Sequence, residues 1–309
     1  MTADILTAIR AGFATSLSRV GVISTALLLL SGCNNASETS ERVTSSSQAI
    51  VGGNEAWLNS AVALRTSQCS LLPAQDPAIC SGLLISPTTV LVARHCVSYP
   101  ANAYCKSGID PNQPGTFQVA VGCHDILNDC PSANWKPVAN APNGIVVHPT
   151  DDIAIVHLAQ AVSATPTRLV SPSRLAEIAV GDSVALYGWG KTAQDGYMSP
   201  VLMSVVRSIL SIPLRLPGIP FMPGVFAVAN QTNPYIGTNN GDSGGPAVVF
   251  RDGEWFSLGV TQGGSYGSDR TDLGLIPYYF QWILNGSSDF PAQSWLPSAQ
   301  IIAVANMLL

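Results

Sequence analysis

Charged residues are scarce in this sequence. Asp, Glu, Lys and Arg make up 11% of its 309 residues, against about 25% in an average soluble domain. Lysine is nearly absent, occurring only at Lys106, Lys136 and Lys191. The net charge of −5 leaves no basic surface for a polyanion, so we expect no nucleic-acid partner.

Metal-binding spacings are absent as well. The sequence contains no Cys-x-x-Cys pair and no two histidines at metal-ligand spacing, which argues against a zinc site. Nor does it contain an internal repeat of about 20 to 50 residues, the period that would indicate a solenoid or a propeller. We therefore expect neither a metal nor another cofactor.

The N-terminal apolar run is too short to cross a membrane. It covers Val20 to Leu30, eleven residues, whereas a spanning helix needs about 20. Behind Arg10 and Arg19 it is typical of the apolar part of an export signal. The following Leu30-Ser31-Gly32-Cys33 resembles the bacterial lipoprotein box, which implies cleavage before Cys33 and its acylation. An ordinary signal peptide that happens to end near a cysteine is the alternative.

Residues 1–32 are therefore predicted to be a signal peptide of an exported protein. That protein would be anchored to the cell envelope, and so to a membrane, through Cys33, or secreted after cleavage. Residues 33–49 are rich in Ser and Thr and lack apolar periodicity, so they are predicted to be an unfolded tether or pro-segment. Six cysteines remain once Cys33 is set aside, an even number suited to three disulfides in an oxidising compartment.

Glycine and proline, by contrast, are plentiful and spread along the chain, at 27 and 22 residues. The apolar runs between them are short and rich in β-branched residues. This pattern is typical of many short strands joined by tight turns, so the sequence predicts an all-β sandwich or barrel that begins near Ile50.

The sharpest motif is Gly241-Asp242-Ser243-Gly244-Gly245-Pro246. Glycines on both sides of a serine permit a tight, open turn in which a carbonyl group can reach the hydroxyl. The same letters fit the nucleophile elbow of α/β-hydrolases, but that fold needs its histidine after the serine, and all four histidines precede Ser243. The remaining order is His, Asp, Ser, with His95 and Asp152 beside two apolar stretches.

With these residues the chain resembles the trypsin/chymotrypsin family of serine proteases from Ile50 to about Leu284. The segments that carry the likeness are Ile50-Val51-Gly52-Gly53, Cys80 to Cys96, Asp152-Ile153-Ala154, Gly188-Trp189-Gly190, Gly241 to Pro246 and the stretch around Trp282. Arg94 departs from the family's usual Ala, and Thr261-Gln262-Gly263 departs from its Ser-Trp-Gly strand. The resemblance implies a domain over residues 50–290, built as two antiparallel six-stranded β-barrels with a short C-terminal helix. It assigns no role to residues 291–309.

The resemblance also implies a catalytic site. Ser243 would be the nucleophile, His95 its general base and Asp152 the carboxylate that orients the histidine. The backbone N–H groups of Gly241 and Ser243 would form the oxyanion hole. The predicted function is a serine endopeptidase, expected to be a monomer, that acts on protein or peptide substrates.

Activation by cleavage is part of the same resemblance. The active form would carry a free amine on Ile50, paired with the carboxylate of Asp242. Cleavage would then fall after Ala49, a small residue, so we expect a zymogen that the enzyme itself or a sibling of like preference processes.

The specificity pocket is less defined. The resemblance places Gly237 at its floor and Thr238 and Gly263 on its walls, without the carboxylate that would favour a basic side chain. The opposite wall is either Thr271, which would favour small residues, or Asp272, which would restore a basic preference. The sequence favours the small, apolar preference.

The disulfides are also inferred partly from the resemblance. The family's bridge beside its catalytic histidine implies Cys80–Cys96. The short loop between Cys123 and Cys130 favours a second bridge, and Cys69–Cys105 follows by elimination.

Three polar residues near these motifs have expected structural roles. His148, in Val147-His148-Pro149, is expected to cap a turn. His124 is expected to face solvent, and Asp151 to be a surface carboxylate.

Two rival functions remain at this point. A catalytically silent relative could serve as a binding or adhesion module, although such proteins usually lose a triad residue and none is lost here. An esterase on the same fold is the second rival, which only a comparison of substrates would separate.

Overall fold

The computed structural model describes residues 50–69, 78–102, 105–194, 196–212, 225–229, 236–264, 270–287 and 289. The predicted signal peptide, the tether, Cys33 and the C-terminal residues 291–309 lie outside the described residues. All described residues belong to one compact unit. None of the helices found within these ranges has the length and apolar character needed to cross a membrane.

Short strands dominate the described chain, as the spread of turn residues predicts. The first eight strands are β1 (Asn54–Glu55), β2 (Ala61–Thr66), β3 (Cys80–Leu84), β4 (Thr89–Val92), β5 (Phe117–Val121), β6 (Trp135–Pro137), β7 (Ile145–Val147) and β8 (Ala154–His157). They are followed by β9 (Arg168–Leu169), β10 (Ser183–Gly188), β11 (Met203–Ser211), β12 (Val225–Ala229), β13 (Pro246–Arg251), β14 (Glu254–Gly263), β15 (Arg270–Leu275) and the helix α1 (Ile276–Gly286).

The first sheet is antiparallel, in the order β6-β5-β2-β3-β4-β8-β7. β6 and β7 lie at the two ends of this order, where β6 pairs with β5 and β7 pairs with β8. Pro137 and Pro142 lie at and beyond the end of β6, and proline has no N–H to give to a ladder. Seven strands therefore stand where the sequence analysis expects six.

The second sheet runs β1-β11-β10-β13-β14-β15-β12, and β12 also pairs with β11, so its six longer strands close on themselves. The two-residue strands β1 and β9 are added at its rim, β9 in parallel to β14. The chain is thus mostly β, with two curled antiparallel sheets and one short C-terminal helix. This confirms the predicted fold class.

Apolar side chains fill each sheet and also join the two. Val62, Leu64 and Val90 belong to the core of the first sheet, and Val184 and Leu186 to that of the second. Between the sheets, the small residues Ala61, Ala63 and Ala120 pack with Trp189 and Leu202. The helix α1 buries Ile276, Tyr279, Phe280 and Ile283 in a cluster with Leu83, Leu91 and Ile155 of the first sheet. These contacts hold the ends of strands from both sheets in fixed positions.

Three disulfides connect the described cysteines in the expected pairing: Cys69–Cys105, Cys80–Cys96 and Cys123–Cys130. The Cys80–Cys96 bridge links β3 to the turn that carries His95. Its two sulfurs lie within 4.8 Å of a His95 ring nitrogen. A disulfide offers no thiolate, the form in which cysteine binds metals, so this cluster is not a metal site.

Candidate active site

His95 is held at two points by one carboxylate. The chain leaves β4 and enters a single 3₁₀ turn, Arg94–Cys96. The backbone N–H of His95 donates to Asp152 Oδ1 at 2.9 Å, and its ring Nδ1 lies 2.7 Å from Asp152 Oδ2. Because backbone and ring are both tied to the same side chain, the imidazole has one defined orientation.

This contact also sets the histidine tautomer. An ionised carboxylate only accepts hydrogen bonds, so the proton of a neutral His95 ring must lie on Nδ1 when Asp152 is ionised. The other ring nitrogen, Nε2, then has a free lone pair. His95 can therefore act as a base toward a group on the far side of its ring.

Asp152 is placed by strand pairing and by a bond from the second sheet. β4 pairs with β8 so that Val92 lies opposite Ala154, which brings the residues after Val92 close to those before Ala154. From β14, Gln262 Nε2 donates to the backbone carbonyl of Asp152 at 2.9 Å. In the sequence, Gln262 is only a departure from the family pattern, and nothing there predicts this contact.

The turn around Ser243 leaves two particular N–H groups free. The N–H of Asp242 donates to Asn239 O at 3.0 Å, and that of Gly245 to Asp242 O at 2.9 Å. The N–H of Gly244 donates to Thr261 O at 2.6 Å. Within the described chain, the N–H groups of Gly241 and Ser243 have no hydrogen-bond partner. These are the two donors that the sequence analysis assigns to the oxyanion hole.

Ser81 of β3 fixes this turn from the first sheet. Its hydroxyl donates to Gly241 O at 2.9 Å and accepts the Trp189 N–H at 3.1 Å. Its backbone N–H donates to Ser243 O at 2.9 Å. A single buried serine therefore ties both residues of the candidate oxyanion hole, and nothing in the local sequence pattern singles it out.

His95, Gly241 and Ser243 line one cavity of about 340 Å³. Among the described residues, the Ser243 hydroxyl makes no hydrogen bond to the His95 ring. Catalytic hydrogen bonds are often long without substrate and tighten in the complex, so this geometry is compatible with a serine–histidine pair.

Asp242 is fully buried beneath the turn. Its carboxylate accepts the Gly190 N–H and the Asn239 N–H, each at 2.8 Å. Burial raises the pKa of Asp242 to about 7, although these two hydrogen bonds favour the ionised form. No Lys, Arg or His of the described chain forms an ion pair with it.

Two glycines make room for that carboxylate. A Cβ on Gly188 would lie 2.1 Å from Asp242 Oδ1, and one on Gly190 would lie 2.4 Å from Asp242 Cγ. Any other residue at either position would overlap the buried side chain. The Gly-Trp-Gly motif is thus explained by the space that Asp242 occupies.

Ile50 packs into the hydrophobic core of the second sheet. Its side chain is fully buried in that core, and the next residue forms a β-bridge in which the Gly237 N–H donates to Val51 O at 3.0 Å. Asn239, which binds Asp242, follows Gly237 by two residues. The segment from Gly237 to Asn239 therefore contacts Asp242 and also Val51, the residue that follows Ile50.

The residues expected to form the specificity pocket are partly brought together. Gly237 and Thr238 are buried, and a Cβ on Gly264, next to Gly263, would lie 2.1 Å from Thr238 Oγ1. Thr238 Oγ1 is hydrogen-bonded to Thr271 Oγ1 at 2.7 Å, with both side chains buried.

Asp272 occupies the other side of β15. Successive strand residues face opposite ways, and the Asp272 carboxylate is paired with Arg270 at 2.9 Å. Of the two candidates for the opposite wall, it is therefore Thr271 that faces Thr238.

The expectation for His124 is wrong. Its ring is buried, stacks on Trp57 with centroids 4.1 Å apart, and places Nε2 2.6 Å from Glu55 Oε1. Both partners belong to the segment that follows Ile50, so the burial arises from contacts distant in sequence.

The expectation for Asp151 is wrong for a similar reason. Its side chain is buried, accepts the Thr150 hydroxyl at 3.1 Å, and lies 3.6 Å from His148 Nδ1. Burial first, and Asp151 second, raise the pKa of Tyr279 well above its usual range. Tyr279 and Trp282 of α1 pack edge-on against the ring of His148, which lies beside Asp151. His148 does cap the turn as expected, since its Nδ1 accepts the Asp151 N–H at 3.1 Å.

The chain is similar to known proteins over most of its length. Residues 50–283 match the family described as Trypsin. Brachyurin of Leptuca pugilator is 29% identical over 251 residues, which cover 76% of this chain and 96% of that protein. Chymotrypsin-like elastase family member 1 of Rattus norvegicus is 25% identical, over 76% of this chain and 88% of the relative. Vitamin K-dependent protein C of Mus musculus is 27% identical over 70% of this chain, which spans only 48% of that longer protein. The chain belongs to the trypsin family, a family of serine proteases.

Proposed function

We propose that this protein is a serine endopeptidase with Ser243 as nucleophile, His95 as general base and Asp152 as the orienting carboxylate. The observation that carries the proposal is the pair of backbone N–H groups that the turn at Ser243 leaves without hydrogen-bond partners in the described part of the chain. Its two unpaired N–H groups, on Gly241 and Ser243, adjoin the cavity that His95 also lines. A turn that served only structure would have no reason to leave these two donors without partners.

The mechanism follows from these contacts. Asp152 holds the Nδ1 proton, so Nε2 of His95 takes the proton of Ser243 as its oxygen attacks the substrate carbonyl. The carbonyl oxygen becomes negative and is bound by the N–H groups of Gly241 and Ser243. Loss of one such donor typically lowers kcat by about 10² to 10³. His95 then gives its proton to the leaving amine, and water hydrolyses the acyl-enzyme by the same steps.

A small side chain before the cut suits the proposed pocket. Gly237 supplies no carboxylate at the floor, and the buried Thr238–Thr271 pair fills space beside it. The Asp272 carboxylate is already paired with Arg270, which leaves it less available to a basic substrate side chain. These contacts support a preference for small or apolar residues.

Activation is proposed to require cleavage between Ala49 and Ile50. The new amine of Ile50 would pair with Asp242, whose buried carboxylate has no cationic partner among the residues that the structure describes. Residue 49 is an alanine, which matches the proposed small-residue preference. The enzyme or a sibling of like preference would therefore make this cut.

The remaining organisation is proposed from the sequence. Residues 1–32 would direct export, and lipid on Cys33 would hold the precursor at a membrane through residues 33–49. No cysteine lies between Asn34 and Ala49, so cleavage before Ile50 would release the protease domain as a monomer. Residues 291–309 have no assigned role.

Cleavage kinetics of variants test the catalytic assignment. Ser243→Ala and His95→Ala should each reduce hydrolysis of a peptide with alanine before the cut to near background. The double variant should be no worse than either single variant, because the two residues act as one unit. Circular dichroism should show that all three proteins remain folded.

The rivals are decided by the same assay. Substantial turnover by Ser243→Ala would show that the nucleophile is another residue. A cleaved wild-type chain that hydrolyses neither peptides nor esters would support a silent binding module. Hydrolysis of esters alone would support an esterase.

A further inference from the structure

The cavity beside Ser243 shares no lining residue with the proposed specificity pocket. Its apolar walls come from Ile79, Tyr99, Ile109 and Met198, together with the Cys80–Cys96 bridge. None of Gly237, Thr238 and Gly263 belongs to its lining. If the pocket holds the residue before the cut, as the proposed function requires, this cavity receives the residues after it.

Among the described residues that line this cavity, Lys191 is the one side chain with a permanent charge. Its backbone is fixed, because its N–H donates to Asn240 O at 2.8 Å and it forms a β-bridge with Met198. Within the described chain, its ammonium group makes no hydrogen bond or ion pair. The chain has only three lysines and a net charge of −5. A lysine without an ion-pair partner is therefore an unusual positive charge in this acidic protein.

We propose that Lys191 selects substrates with a carboxylate within the first two residues after the cut. The apolar walls accept the neighbouring side chain, and the ammonium binds the carboxylate. That group is either an Asp or Glu side chain or the free C-terminus of a short peptide. A partly exposed ion pair contributes about 0.2 to 1 kcal/mol, which corresponds to a preference of about 1.5-fold to fivefold in kcat/KM.

Matched peptides measure this preference. Four peptides share one sequence up to the cut and carry Asp or Asn two residues after it, each with a free acid or an amide at that end. The ratio of kcat/KM for Asp over Asn reports the side-chain source, and the ratio of acid over amide reports the terminal source. At least one ratio should exceed one and should decrease with added salt.

Variants of Lys191 test whether its ammonium group binds the substrate carboxylate. Lys191→Met keeps an unbranched side chain and should bring the ratio to about one, whereas Lys191→Glu should invert it. Lys136→Glu is the matched control. It makes the same change in charge, outside the cavity, at a lysine whose ammonium donates to Ala133 O at 2.6 Å. This variant should keep the wild-type ratio.

The outcomes separate this inference from the proposed function. Hydrolysis of a small alanine ester, which has no residue after the reacting carbonyl, reports whether the catalytic site works. If the protein hydrolyses the ester but the Asp/Asn and acid/amide ratios of kcat/KM both equal one, the role of Lys191 alone would be overturned. An unchanged ratio in Lys191→Met would do so as well. A cleaved chain inert toward ester and peptides would remove the proposed function, and the inference with it.

Discussion

The buried carboxylate of Asp242 predicts that the stability of the precursor depends on pH in a way that the stability of the cleaved protein does not. In the continuous chain, burial raises the pKa of Asp242 to about 7 from an ordinary value of 3.8. An acid whose pKa is higher in the folded state holds its proton more tightly there. The contribution of Asp242 to the unfolding free energy of the precursor is therefore highest below pH 3.8, falls as pH rises to about 7, and then stays level.

The size of this effect follows from the pKa. A rise from 3.8 to about 7 corresponds to about 4 kcal/mol of stability lost at neutral pH. Cleavage before Ile50 would supply an ammonium group, which stabilises the ionised carboxylate and lowers its pKa. The cleaved form should therefore lose this penalty at neutral pH.

Urea unfolding, followed by tryptophan fluorescence from about pH 4 to about pH 8, measures the effect. The Ser243→Ala chain serves as an uncleaved parent, and Asp242→Asn in the same background removes the titrating group. Other carboxylates titrate equally in both chains, so the difference between the two free energies isolates Asp242. A difference that stays constant over this pH range would refute the reasoning.

Further variants test separate contacts. Gly190→Ala would place a Cβ 2.4 Å from Asp242 Cγ, so it should cost about 1 to 3 kcal/mol of stability in urea unfolding and abolish peptide hydrolysis. Ser81→Ala leaves the buried Trp189 N–H without its partner, so it should cost about 1 to 3 kcal/mol and lower kcat more than it raises KM. Cys33→Ala should move the precursor from the detergent phase to the aqueous phase; equal partitioning would remove the lipid anchor.

The features that the sequence predicts are those that depend on short, contiguous segments of the chain. The Gly-Asp-Ser-Gly-Gly turn, the order of His95, Asp152 and Ser243, and the cysteine spacing all lie in short segments. Their chemistry restricts what they can do. Short β-branched runs between turn residues likewise indicate strands, and the all-β fold follows from them.

The features that could not be predicted depend on contacts between distant segments. Ser81 and Gln262 are ordinary strand residues by sequence, yet they fix Gly241 and Asp152 from across the site. The sequence predicts both His124, in the loop between Cys123 and Cys130, and Asp151 at the surface. Trp57 stacks on His124, and Tyr279 of α1 packs against His148 beside Asp151. No local sequence pattern predicts these contacts.

Covalent labelling of Ser243 tests the central claim most directly. The cleaved chain beginning at Ile50 is treated with a fluorophosphonate, which reacts with a serine activated by a neighbouring base, and the labelled peptide is then mapped. We predict one label per chain, on the peptide containing Ser243, with little label on His95→Ala or on the uncleaved precursor. A cleaved, folded chain that takes up no label, or takes it up at another residue, would contradict the assignment of this site.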